Sequence, residues 1–269
     1  HIGMIEIDPK NSNKIYVAAY GPLWNEGGER GLYFSENFGK DWKLILETDE
    51  NTGINEVHID PTNTNIIYAT AHQRRRHVFT YVGGGPGSKI YKSVDGGKNW
   101  KELKSGLPSA IKGRIGMDIS PANPDYLYAL VESENDQSGL YSSKDRGESW
   151  KKVNKYVTSG NYYQEVFCDP NDSKKVFFMD TWLHHTEDGG KTVVKTGEKS
   201  KHVDNHCIWI NPDDTQHWIV GCDGGIYETW DHAKNWHLKP NLPITQFYKV
   251  AVDNDYPFYN VYGGTQDNF

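Results

Sequence analysis

The 269-residue sequence predicts an all-β chain folded as a β-propeller of four-stranded antiparallel blades, about five and a half of them. Two alternating phrases carry that reading. The first is eight residues long and recurs five times: Ser35–Trp42, Ser93–Trp100, Ser143–Trp150, Thr186–Val193 and Thr229–Trp236. The second is a strand ending in an acid, amide or serine, mostly followed by proline, and then a polar loop and another strand. Its anchors Asp8, Asp60, Ser120, Asp169, Asn211 and Asp253 stand 52, 60, 49, 42 and 42 residues apart. A repeat of roughly 40–50 residues is the period of propeller blades.

Each copy of the first phrase lies between two short β-rich runs, as in Lys89-Ile90-Tyr91-Lys92 before it and Trp100-Lys101-Glu102-Leu103 after it. This reads as strand, tight turn, strand. The acid or amide at the third position (Asn37, Asp95, Asp145, Asp188, Asp231) is expected to accept hydrogen bonds from turn N–H groups. Glycine then supplies positive φ, and tryptophan buries a large apolar face. Residues that recur in every repeat serve the repeat, so these acids are assigned a structural role. The second phrase reads as a hairpin, and the two hairpins together make one blade with strands A to D. Blades are expected over about 1–50, 51–109, 110–158, 159–200 and 201–243, with a partial blade over 244–269, as one propeller segment. Such an arc leaves two raw sheet edges, which proteins avoid. The segment therefore reads as part of a longer polypeptide, or as a small ring closed by its terminal strands.

Composition narrows the function. A net charge of −7 argues against nonspecific nucleic-acid binding. The chain is 13% aromatic, and no apolar run approaches the ~20 residues that span a bilayer. Cys207 and Cys222 fall on neighbouring strands of one blade, but out of register for a disulfide.

Strand order places A–B loops and C–D turns on one face, which reads as scaffold. The D–A and B–C loops share the other, where binding is expected. Strand A is innermost, so Asn55, Arg114, Tyr163, Gln164, Asp204, Asn205, His206 and Gln246 should ring the mouth of the channel. They either bond one another around the axis or hold a ligand. The B–C loops add Gln73, Arg74, Arg75, Arg76, Asp223, Gln266 and Asp267. The arginine run reads either as a salt-bridged loop or as a site for a carboxylate, sulfate or phosphate. No cofactor is required. Calcium or zinc is open through His202, Asp204 and His206, which point to one side if that segment is extended.

The eight-residue phrase is identified as the Asp-box, or BNR repeat. The whole chain resembles bacterial sortilin-like propellers and glycosyl hydrolase-like propellers of the xyloglucanase and sialidase superfamily. Besides the Asp-boxes, Gln73 to Arg76, Asp204-Asn205-His206, Gly221 to Gly225 and Gly264 to Asn268 carry the resemblance. The sortilin-like resemblance implies a non-catalytic, secreted or cell-surface propeller that binds a protein, peptide or glycan. The xyloglucanase-like resemblance implies a glycoside hydrolase with paired carboxyls, for which Asp204 and Asp267 are the choice. Asp180, Asp223, Glu56 and Glu165 lie nearby, with Trp24, Phe79, Tyr81, Tyr162, Tyr163 and Trp182 to stack sugars. Sialidase chemistry is disfavoured, because three consecutive arginines diverge rather than converge.

Overall fold

A computed structural model describes residues 1–242 and 246–267, so Asn268 and part of the expected partial blade lie outside the described residues. The fold is an all-β propeller of antiparallel four-stranded blades, with no helix among the described residues. The first blade runs Ile2–Ile7, Ile15–Ala19, Gly31–Ser35 and Lys43–Leu46; the second runs Thr52–Ile59, Ile67–Gln73, Lys89–Ser93 and Lys101–Leu103. The third runs Lys112–Ile119, Leu127–Ser133, Gly139–Ser143 and Lys151–Asn154, and the fourth Val166–Cys168, Val176–Phe178, His184–Thr186 and Val194–Lys195. The fifth runs Asn205–Ile210, Trp218–Cys222, Gly225–Thr229 and His237–Leu238. Strands Phe247–Val252 and Val261–Thr265 then pair as a hairpin. The chain divides into two compact units, residues 1–180 with 184–194 and residues 181–183 with 195–269.

In the first unit the core lies between blades. Tyr68, Ile90 and Leu103 of the second blade pack on Ile115, Met117, Leu127 and Trp150 of the third. Tyr16, Leu32 and Phe34 of the first meet Ile54, Val57 and Ile67 of the second. Tyr128, Leu130 and Leu140 of the third meet Val166, Val176 and Phe178 of the fourth. This explains why second strands such as Leu127–Ser133 read as apolar runs rather than strict alternation: both faces are covered. Inner strands approach so closely that a Cβ on Gly116 would overlap the Gln164 carbonyl oxygen.

The recurrent phrase forms the same C–D turn in every blade. In the second, Ser93 Oγ donates to Asp95 Oδ1 (2.8 Å) and accepts from Gly97 N–H (2.9 Å). Asp95 Oδ1 accepts from Lys98 and Asn99 N–H, and Oδ2 from Asn99 Nδ2. These donors, led by the Asn99 side chain, hold the Asp95 carboxyl down at about 2. The fourth turn residue, whatever its type, is left-handed: Phe38, Gly96, Arg146, Gly189 and His232 have φ between 57° and 75°. In all five blades its N–H donates to an A–B loop carbonyl of the same blade: Asn13, Asn65, Asp125, Lys174 and Gln216. The A–B loops and C–D turns therefore do share a face.

The fifth turn residue is also left-handed, and Ala233 (φ 63°) holds it where the other copies have glycine. An L side chain pays roughly 1–2 kcal/mol there, partly offset by the entropy glycine loses on folding. Ala233→Gly is therefore expected to stabilise the protein by about 0.5–1 kcal/mol, read as a higher urea midpoint. A lower midpoint would contradict this turn geometry.

Tryptophan does more than close its own turn. Trp100 Nε1 donates to Gly97 O and, across the blade boundary, to Ile45 O (2.9 Å). Trp150 is 5% exposed, and its backbone N–H reaches Ser105 O of the preceding blade. Trp236 Nε1 donates to Gly197 O (2.8 Å). The three cysteines are free. Cys207 faces Gly221 and Cys222 faces Asn205, with a register shift between 205 and 207, so the two cysteines are out of register as expected.

Candidate functional site

Within the first unit, inner-strand polar groups fall into two sets. One set ties strand to strand. Asn55 Nδ2 donates to Ile115 O (2.9 Å), and Gln164 donates to Arg114 O while accepting from Thr158 Oγ1. Glu56 Oε2 accepts Met117 N–H (2.8 Å), and Asp118 Oδ2 accepts Cys168 N–H (2.7 Å). Each carboxylate thus takes a main-chain donor from the next blade. Between them lies His58, 8% exposed, with Nε2 3.4 Å from Glu56 Oε2 and Nδ1 3.7 Å from Asp118 Oδ1. Burial alone would lower its pKa; the Glu56 hydrogen bond and the Asp118, Glu56 and Glu6 charges overcome that and raise it to about 9. Burial raises Glu6 and Asp118 from the ordinary carboxyl range, with His58 opposing.

The second set lies on the B–C side. After strand Ile67–Gln73 the chain continues into a small hairpin, Arg75–Arg76 against Tyr81–Val82. The arginine run diverges, as consecutive side chains must. The Arg74 guanidinium stacks 3.2 Å from the Tyr20 ring centroid. Arg75 bonds Glu26 (2.9 Å) and Asn51 (3.1 Å), and Arg76 lies 4.9 Å from the Tyr81 ring centroid. Gln73 Oε1 accepts Gly87 N–H. Under Arg74, Tyr20 OH meets His72 Nδ1, and His72 Nε2 lies 3.0 Å from Gly83 O. Burial pulls His72 down to about 4, so it is neutral near pH 7.

Arg114 pairs with Glu165, whose carboxyl is raised by burial against the pull of that guanidinium. Tyr163 N–H bonds Ser159 O, and its ring lies 6.3 Å from that of Tyr162. A pocket of about 270 Å³ opens beside this cluster, lined by Gly83, Gly84, Ile111, Gly113, Glu132, Ser133 and Glu134. Glu132 Oε2 accepts Arg114 N–H from its wall. Among the described residues, Nε of Arg74, Arg75, Arg76 and Arg114 is buried without a hydrogen-bond partner. Asp180 accepts from Tyr156 OH (3.1 Å).

In the second unit, Lys201 is buried on Glu198 and Asn205. His206 Nε2 lies 2.8 Å from Asp223 Oδ1, both about 40% exposed, and Asp223 N–H bonds Asp204 O. The 202–206 segment is not extended throughout: the strand begins at Asn205, and Asp204 is left-handed at φ 60°. His202 turns its Nδ1 to Val203 O instead. Among the described residues no three His, Cys, Asp or Glu side chains converge as metal ligands. Gln246 and Gln266 bond through their side chains (3.0 Å), and Asp267 follows with φ 59°. Trp182 carries Lys195 Nζ 4.2 Å from its ring centroid. Trp24 and Phe79 are exposed.

His58, Asp118, His72 and Tyr20 were not singled out from the sequence. Three of the missed or unweighted positions had a signal: Glu6, His58 and Asp118 each stand two residues before an anchor, where an inner strand otherwise carries an apolar residue.

Comparison with known proteins decides the family. The family model described as "Sortilin, neurotensin receptor 3" (Sortilin-Vps10) matches residues 30–182, more than half of the chain. The chain belongs to the Sortilin-Vps10 family. Rat sortilin is 30% identical over 241 residues, which is 85% of this chain and 26% of that protein. The xyloglucanase Xgh74A of Acetivibrio thermocellus is 24% identical over 250 residues, 87% of this chain and 26% of that protein. This sortilin-family chain thus spans about a quarter of those relatives. A crystal structure of an ancestral GH74 enzyme superposes with a TM-score of 0.62 at 19% identity, over 88% of this chain and 33% of that one, which speaks for the fold alone. Among the described residues no helix is long and apolar enough to cross a membrane.

Proposed function

We propose that this chain is a non-catalytic binding propeller of the sortilin type, working outside the cytoplasm, whose peptide ligand docks on the B–C and D–A loop side of the first unit. One observation carries the reading. Arg74, stacked on Tyr20, and Arg114, whose neighbour Gly113 and main-chain partner Glu132 line the pocket, both carry buried Nε donors that no acceptor uses. Such donors suit a carboxylate. Two further inner-strand carboxyls are otherwise engaged, Glu56 with Met117 and His58 and Glu165 with Arg114.

The test is calorimetry with a short neutral peptide ending in a free carboxylate and with its amidated twin. The acid form should bind and the amide should bind at least about tenfold more weakly, with Arg74→Gln erasing the difference. Equal affinity of the two forms would contradict the assignment.

The likeness to xyloglucanases supports a second reading, glycan hydrolysis by Asp204 and Asp267. Release of reducing ends from xyloglucan that vanishes in Asp204→Asn and Asp267→Asn would favour it over the first.

A further inference from the structure

The turn face also carries a groove. It runs between the third and fourth blades, has a volume of about 810 Å³, and is walled by Lys144, Lys151, Lys152, Lys174 and Lys191. Tyr126 and Trp150 line it as well. Three acids border the groove, and each is engaged. Asp145 accepts from Ser143 and Ser149, Asp188 accepts from Thr186 and Thr192, and Glu187 lies 4.0 Å from Lys175. Lys152 Nζ bonds a main-chain oxygen, Asp136 O. Among the described residues no carboxylate pairs with Lys144, Lys151, Lys174 or Lys191.

The chain contains its own comparison. One blade earlier, the sixth turn position is Glu148, and it pairs with the lysines of the preceding blade, Lys92 (2.7 Å) and Lys101 (3.0 Å). In the first blade, Lys43, at the position of Lys151, has Glu36 at 3.9 Å. At the third-to-fourth groove the sixth turn position is Lys191, so the outer-strand lysines meet another cation rather than a carboxylate. Like charges gathered without partners, in a protein of net charge −7, are a cost unless an anion joins them.

The backbone selects among anions. Strand Lys151–Asn154 stands at the end of its sheet, with one edge not paired in the blade. An extended peptide can add along such an edge through main-chain hydrogen bonds, while alternate side chains reach the lysines. Lysine, a point charge on a flexible stem, suits a run of carboxylates better than one bidentate group.

We propose that this groove is a second binding site, for an extended acidic peptide segment, separate from the loop-side pocket.

The test uses a fluorescein-labelled octaglutamate peptide and anisotropy at about 0.05 M and 0.2 M salt, where screening differs about twofold in length. Wild type should bind, more weakly at the higher salt. Lys144→Glu/Lys151→Glu/Lys191→Glu should bind at least about tenfold more weakly, with an unchanged near-UV spectrum because all three side chains are exposed. A control carrying the same reversal at Lys40, Lys43 and Lys98, on the turns and outer strand of other blades, should keep wild-type affinity. Equal losses in both triple variants would reduce the effect to net charge and overturn the site. So would the absence of octaglutamate binding to wild type, and so would a heparin octasaccharide that binds while octaglutamate does not.

Discussion

Trp150→Ala is expected to lower the stability of the chain by about 4 kcal/mol, the usual cost of removing a large aromatic side chain from a packed interior. Trp150 is 5% exposed and packs among residues of two blades, so its loss leaves a cavity at their junction rather than a loose turn. The same change at Trp42, which is 43% exposed, should cost under about 1 kcal/mol. Urea denaturation of both variants checks this. Equal shifts in midpoint would mean that tryptophan serves only the turn that contains it.

A pH titration of stability should show a loss on the order of 3 kcal/mol between about pH 6.5 and pH 9.5 in wild type. The cause is His58. Its folded pKa, raised to about 9, lies above its unfolded value, so folding is favoured by proton uptake. That contribution is complete below the unfolded pKa and disappears as pH rises through the folded one. His58→Gln should flatten the profile in this window, while leaving any slope from Glu165 or Cys168 in place. Glu56→Ala should be the most harmful change in the cluster, at about 3–5 kcal/mol. It removes the acceptor of Met117 N–H and one of the two nearest counter-charges of a buried imidazolium. A wild-type profile that is flat from pH 6.5 to 9.5 would show that His58 is neutral in the folded protein.

The blades were legible because each is a local object. Strand A anchors, polar loops and the eight-residue phrase all lie within one period, and the turn chemistry at Ser93, Asp95 and Gly97 follows from short-range hydrogen bonding. What escaped is non-local. Met117 N–H finds Glu56 across 61 residues, and Cys168 N–H finds Asp118 across 50. Asp118 stands two residues before its anchor, at the position that Glu6 and His58 share, but Glu56 stands four before its own, so no single repeat position marks the carboxylate that reaches the next blade. Arg74 was singled out by its neighbours in sequence, but its partner Tyr20 belongs to another blade. His202, Asp204 and His206 would point to one side in an extended segment, and that condition is not met: the left-handed Asp204 breaks the run before the strand begins.

In the proposed division of labour the loop side binds a peptide terminus while the recurrent acids of the turns hold the fold. Hydrogen exchange read by mass spectrometry, with and without the neutral carboxylate-ended peptide, tests that division most directly. Protection is expected over residues 72–84 and 111–114, with the turns at 35–42, 93–100 and 143–150 unchanged. Protection confined to those turns, with none at 72–84, would contradict it.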